Sequence, residues 1–294
     1  MRPADYARLV TLAALWGASY LFMRVAEPHV GSVAMVEGRT LVAGAMLLAF
    51  AAIMHQPVAF LRFWKHYLFI GAVAVAIPIT LIGFALRDID ASTAAILNAT
   101  SPLFSAVIAS VWIHERLTAP KVIGIALCIT GIAVLVGWTP RPMSSAELLA
   151  CAMSVSASVL YGYSSVYTKV YLKDAPPIGV AAGASIFAAL LAAPFAPWQL
   201  LAAPVPAVAW LSVLALGVLS TGIAFILYYR LIADVGPVRA MTVTLLVPVF
   251  GVFWGVLLLG ERLTPGRILG GAIILIGCGL ILGLLRLPYK ATAG

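Results

Sequence analysis

Residues 115–118 read ERLT, and residues 261–264 read ERLT again. The same separation, 261 minus 115 or 146 positions, pairs Pro102 with Pro248, Phe104 with Phe250, Gly124 with Gly270, Gly131 with Gly277 and Gly137 with Gly283. One register away, LWGASYLFMRV at 15–25 aligns with LYGYSSVYTKV at 160–170. Matches near both ends of two half-chains point to a tandem duplication. The expected units are residues 1–143 and 144–294.

The surroundings of those blocks say what is duplicated. Of 294 residues, 63% are hydrophobic and 10% charged, and the mean hydropathy is +1.10. A soluble domain carries about 25% charged residues, so the solvent here is lipid. Apolar runs fall near 7–26, 32–54, 67–86, 91–113, 120–138, 147–169, 177–196, 206–229, 237–259 and 267–287, each near the ~20 residues that one bilayer crossing takes. The proline-rich stretch 197–208 reads as an interfacial loop. The expectation is an all-α polytopic membrane protein with ten transmembrane helices. Little chain remains for a soluble catalytic or DNA-binding module. The net charge of +8 reflects Lys and Arg flanking the spans rather than a nucleic-acid partner.

Those cations also orient the chain. With the N-terminus inside, Arg2, Arg8, Arg62, Lys65, Arg116, Lys121, Lys169, Lys173, Arg230, Arg239, Arg286 and Lys290 are cytoplasmic. Arg24, Arg87, Arg141, Arg262 and Arg267 are outside, a bias of 12 to 5 that places both termini in the cytoplasm. The run Leu9–Met23 has no small-residue cleavage pattern and is read as a mature first helix. Each half has five spans, an odd number, so the second copy crosses the membrane in the opposite sense. Inverted repeats of this kind are the architecture of secondary transporters, whose halves open a midplane site alternately to each side.

Together, LWGASYLFMRV in the first helix, Arg39 in the second, and the P-x-F…ERLT…G block repeated in both halves resemble the drug/metabolite transporter superfamily, in its EamA-type branch. The likeness spans essentially the whole chain and is greatest to the YddG-type exporters of aromatic amino acids. It implies a basket-like fold in which helices 1, 3, 4, 6, 8 and 9 surround a cavity while helices 5 and 10 lie outside. It also implies a location in the bacterial inner (plasma) membrane.

Polar side chains at membrane depth are costly and mark pathways. Helix 1 carries Trp16, Ser19, Tyr20 and Met23 at helical spacing; helix 6 carries Tyr161, Ser164, Ser165 and Thr168 at equivalent positions. They read as two cavity walls, or alternatively as close helix packing beside Gly17 and Gly162. Asn98 and Ser101 in helix 4, answered by Thr244 in helix 9, complete the candidate binding set. Pro102 and Pro248 each free a carbonyl just beyond those positions. With Pro78, Gly222, Gly17 and Gly162 they form a set of candidate hinges. Tyr228 is a candidate for closing the inner end of helix 8, or an interface anchor. Glu37 and Arg39 are the charges within a span. At about 1.5 Å per residue both lie close enough to the outer surface to snorkel, and they are assigned a structural or coupling role.

Several chemistries find no residues. His29, His55, His66 and His114 sit at span ends, G-x-S fragments lack the final Gly of a nucleophile elbow, and there is no P-loop or HExxH motif. Cys128, Cys151 and Cys278 lack CxxC spacing and read as packing residues. No enzyme activity, cofactor or metal is expected. The helix 10 glycines read as internal packing before dimerisation, hence a monomer or weak dimer. No carboxylate lies in the helix 1 and helix 6 stripes, as exchange of the small-multidrug type requires, which favours facilitated movement. Apart from Arg39 no base lies within a span, which favours a compact zwitterion or a largely apolar compound over a phosphorylated one. The resemblance implies the direction, export, of small amphipathic metabolites, first of all aromatic and other neutral amino acids. The alternative is a proton antiporter of organic, paraquat-like cations using Glu37. A channel or receptor on the same helices is the other class.

Overall fold

The computed structural model describes residues 2–138, 142–196, 204–236 and 240–285. Among them are ten apolar helical rods and no strand: α1 Pro3–Val30, α2 Ser32–Ile53, α3 Phe60–Ala85, α4 Ala91–Trp112, α5 Ala119–Gly137, α6 Ser145–Tyr171, α7 Pro177–Ala192, α8 Ala207–Val235, α9 Val243–Leu259 and α10 Pro265–Ile281. Seven are long and apolar enough to cross a bilayer; α7, α9 and α10 are shorter apolar helices of 16, 17 and 17 residues. This is a multi-pass membrane protein. Arg141, Arg239, Arg286, Lys290 and most of the proline-rich stretch lie outside the described residues.

Local chemistry sets the helix ends. Ser144 and Glu147 form a reciprocal cap at the start of α6, with Glu147 N donating to Ser144 Oγ at 3.2 Å and Ser144 N to Glu147 Oε2 at 2.7 Å. Each ERLT block is the entry to a helix: Thr118 and Thr264 stand in extended conformation before α5 and α10, with Pro120 or Pro265 in the first turn. The rod α1 outruns its expected span and takes in Pro28 in its last turn, and Gly31 closes it with φ +76°. The longer rod carries Glu27 as a buried acid near its end.

Three rods are interrupted. π-helical turns occupy Gly71–Ala76 in α3 and Val218–Ile223 in α8, 147 positions apart (218 minus 71). The first packs against α7 and the second against α2. In α4 the helix breaks at Ala99–Thr100, giving an Ala91–Asn98 half that packs against α9 and a Ser101–Trp112 half that packs against α6.

Glycines set the closest helix approaches. A Cβ on Gly17 of α1 would meet Phe250 Cβ at 2.6 Å, and one on Gly162 of α6 would meet Ser105 N at 2.7 Å. These crossings, α1 on α9 and α6 on α4, occupy equivalent positions in the two halves. The rods α5 and α10 pack chiefly on each other. There Gly124 faces the Gly277 carbonyl and Gly131 the Gly270 carbonyl, so the helix 10 glycines at 270 and 277 pack inside the molecule.

Charged contacts tie both ends of the bundle. At the end where α1 starts, Arg8 pairs with Asp234, and Glu115 binds Lys121 at 2.6 Å and Lys169 at 2.9 Å. At the opposite end Arg87 meets Glu27 at 2.6 Å and Arg267 pairs with Asp90.

Candidate functional site

The break in α4 lies just before Pro102, which has no N–H to give the Asn98 carbonyl. Nearby side chains supply what the helix lost. Ser101 Oγ donates to Asn98 O at 2.7 Å, Thr100 Oγ1 to Leu97 O at 2.7 Å, and Cys278 Sγ to Ala99 O at 3.0 Å. Irregular backbone at this depth survives because protein groups satisfy it. The break turns Asn98 toward α1 and α6.

Asn98 then links three rods. Its Nδ2 donates to Tyr20 Oη at 2.6 Å, and its Oδ1 accepts from Ser158 Oγ at 3.3 Å. Tyr20 is buried on α1 beside Met23. Met23 Sδ accepts from Arg39 Nη1 at 3.8 Å, while Arg39 Nε donates to Thr221 Oγ1 at 2.9 Å. Thr221 lies in the π turn of α8, where its hydroxyl also donates to Leu216 O at 2.8 Å. The result is one polar cluster inside an apolar bundle, with Tyr20, Met23, Arg39 and Asn98 from the first half and Ser158 and Thr221 from the second. Tyr161 of α6 is half-buried and packs against the same core.

Arg39 does not snorkel, contrary to the expectation from depth. It is 9% exposed and turned inward, because Thr221 offers an acceptor within the bundle. Among the described residues no carboxylate pairs with it. Glu37 is half-buried two positions away on another face of α2.

The other expected residues fall in several places. Trp16 lies midway along α1, its ring 5.3 Å from Tyr228 and 6.2 Å from Phe225. Ser19 is buried; Ser164 is buried and donates to Tyr161 O at 2.9 Å. Ser165 is exposed and Thr168 half-buried, so neither joins the cluster through a hydrogen bond. Thr244 donates to Met241 O at 2.8 Å in the first turn of α9. Pro248 lies within a continuous helix, whereas Pro78 and Pro102 stand where α3 and α4 resume after their interruptions. Gly222 closes the π turn of α8 against Met46.

An aromatic wall escaped the sequence reading. Tyr163, Tyr167 and Tyr171 recur every four residues on α6. Phe69 stacks on Tyr167 at 4.4 Å, Trp112 on Tyr163 at 5.1 Å, and His66 Nδ1 shares a hydrogen bond with the Tyr167 hydroxyl at 2.8 Å. The period-four tyrosines were the available signal. Ser158 and Glu261 were also missed as site or closure residues, while Thr221 stood out in the sequence only as part of a Ser220–Thr221–Gly222 weak point in helix 8. The Glu261 carboxylate receives Ala91 N at 2.7 Å, Ser92 N at 2.9 Å and the Ser92 hydroxyl, capping α4 from the α9–α10 connection.

Comparison with known proteins gives this geometry a context. Two segments, residues 6–137 and 148–283, match the EamA-like transporter family. YoaV of Bacillus subtilis strain 168, described as an uncharacterized transporter, is 21% identical over 93% of this chain and 94% of its own. A protein of Streptantibioticus cattleyicolor described as a "probable terminal-alkyne amino-acid exporter" is 26% identical over 93% of this chain and 91% of its own. The uncharacterized inner membrane transporter YedA of Escherichia coli K12 is 27% identical over 97% and 93%. One protein of known crystal structure shares the fold with TM-score 0.70, covering 99% of this chain and 100% of its own at 20% identity.

Proposed function

The chain belongs to the EamA-like transporter family, and from that premise we propose that it exports small amphipathic metabolites, chiefly aromatic and other neutral amino acids, through a central site by alternating access. The observation that carries this reading is the Tyr20–Asn98–Ser158 and Arg39–Thr221 cluster, built by both halves inside apolar helices. Polar groups so placed meet cargo, while Tyr20, Tyr161 and Met23 offer it apolar and aromatic surface. The relative described as an amino-acid exporter supports the cargo class, and the inner membrane relative supports a bacterial inner membrane location.

The proposed architecture is ten crossings in two inverted units, 1–143 and 144–294, with both termini cytoplasmic. The paired crossings at Gly17 and Gly162, the paired π turns, and the reciprocal α5–α10 glycine contacts support it. Alternating access then consists of the halves exchanging conformations about these crossings. Glu37 is not joined to the cluster, which supports facilitated movement down the cargo's own gradient.

The test is counterflow into liposomes preloaded with unlabelled amino acid. Labelled tryptophan and phenylalanine are expected to accumulate transiently, without dependence on a pH gradient. Accumulation that requires a pH gradient and disappears in Glu37→Gln would replace facilitated movement by proton exchange.

A further inference from the structure

Among the described residues, no carboxylate forms an ion pair with Arg39. Isolated charge is expensive away from water and is tolerated where it is paired or where function needs it. The guanidinium has five N–H donors, and the protein supplies acceptors only at Nε, from Thr221, and at Nη1, from the weakly accepting Met23 sulfur. Among the described residues, its Nη2 has no acceptor. A hydroxyl of the cluster points to the same kind of partner. Tyr20, buried on α1 one turn before Met23, accepts at its hydroxyl from Asn98, which leaves its own proton to donate. Among the described residues, two donor groups of this cluster, the Arg39 Nη2 and the Tyr20 hydroxyl, therefore have no acceptor, and one of them is positively charged.

We propose that Arg39, with the Tyr20 hydroxyl, binds the carboxylate of the cargo, so that the site selects small monocarboxylates with an apolar or aromatic body and rejects cations. This rests on the carrier reading above and deepens it. A guanidinium matches a carboxylate with two parallel N–H···O bonds, and the Tyr20 hydroxyl can donate to a remaining lone pair. One cation balances one carboxylate. A dianionic phosphate monoester would leave a net charge in the bundle, and an organic cation would meet like charge with no acid nearby. The amino group of an amino acid has neutral acceptors in reach, such as Asn98 Oδ1, but no carboxylate in the cluster demands it. The carboxylate is therefore the obligatory part of the cargo and the amino group is optional.

Three indoles differing in charge separate these roles: tryptophan, indole-3-acetate and tryptamine. In counterflow with the full-length protein, tryptophan and indole-3-acetate are expected to accumulate, and tryptamine at least about tenfold more slowly, the factor set by loss of one charge-assisted contact. Arg39→Met is expected to raise KM for both carboxylates about tenfold or more and to abolish the discrimination against tryptamine. Its melting temperature in detergent should equal or exceed that of the unchanged protein, because no ion pair is broken. Arg39→Lys, which keeps the charge and loses the fork, should recover part of the carboxylate affinity. Tryptamine accumulating as fast as the carboxylates, or Arg39→Met slowing all three alike, would overturn the assignment while leaving a carrier. Accumulation of indole-3-acetate without tryptophan would support the assignment and refute amino acids as cargo. Accumulation of none of the three overturns both.

Discussion

At the scale of single residues, the site depends on a few hydrogen bonds that a one-dimensional reading could locate only partly. Asn98 stood out in the sequence as the least lipid-compatible group of its helix, and the structure makes it the link between α1 and α6. Asn98→Ala removes both contacts and leaves Tyr20 and Ser158 to rearrange. Each such bond is worth about 1 kcal/mol net, so the variant should lose roughly 1–2 kcal/mol of stability in detergent yet stay folded, and its KM for tryptophan in counterflow should rise as Tyr20 loses its fixed position. Arg39 was legible as a charge and not as a site residue, since its depth in α2 says nothing about whether it turns to lipid headgroups or to Thr221 on a helix 182 positions away (221 minus 39). Glu115 shows the opposite case, a polar group whose surroundings hold it for structural reasons. Hydrogen bonds from Lys121 and Lys169 pull its carboxyl down to about 2, below the ~4.3 of an unfolded chain. A depressed pKa means that the stabilisation is complete above about pH 4.3 and is lost as pH falls toward 2. Glu115 is partly exposed, and screening keeps the contribution near 0.2–1 kcal/mol. Glu115→Gln should therefore lower thermal stability slightly at pH 7 and low salt. The difference should shrink in high salt and stay constant between pH 5 and 8.

At the scale of elements, hydropathy located the rods well because each crossing needs its own apolar run. It could not locate the interruptions. The π turns contain ordinary apolar and hydroxyl residues, GAVAVA in α3 and VLSTGI in α8, and their widening is set by packing against α7 and α2. The break in α4 was signalled by Pro102, but Pro248 at the equivalent position leaves α9 continuous, so proline alone did not decide. Glycine was the better guide. A Cβ on Gly277 would sit 2.7 Å from the Gly124 carbonyl and 2.8 Å from Cys128 Sγ, whereas one on Gly137 would meet nothing within 4 Å. Overpacking of a fitted contact costs about 1–3 kcal/mol. Gly277→Ala is expected to lower the unfolding temperature in detergent clearly, and Gly137→Ala to leave it unchanged or raise it slightly. Equal effects at the two positions would remove close backbone approach as the reason for the α5–α10 pairing.

At the scale of the whole molecule, the two ERLT blocks are identical in sequence, which hides what their glutamates do. In the structure Glu261 caps α4 from the far connection, and Glu115 gathers two lysines at the other end. Equivalent residues thus hold opposite ends of the bundle by different bonds. The halves also differ at the centre, where Arg39 corresponds to Ser185 and Asn98 to Thr244. On the proposed reading, recognition is therefore weighted to one half of a shared frame. That asymmetry has an electrical consequence. Arg39 lies seven residues into α2 (39 minus 32), which on the proposed orientation is about 10 Å below the outer surface. The empty carrier and the carrier holding a zwitterion bear the same charge there, while a carrier holding a simple carboxylate bears one unit less. Membrane voltage acts on charge at about 2.3 kcal/mol per elementary charge per 100 mV. A potassium diffusion potential across the vesicle membrane should therefore leave tryptophan counterflow unaltered and shift that of indole-3-acetate, so that the cell's own voltage would sort one class of cargo from the other.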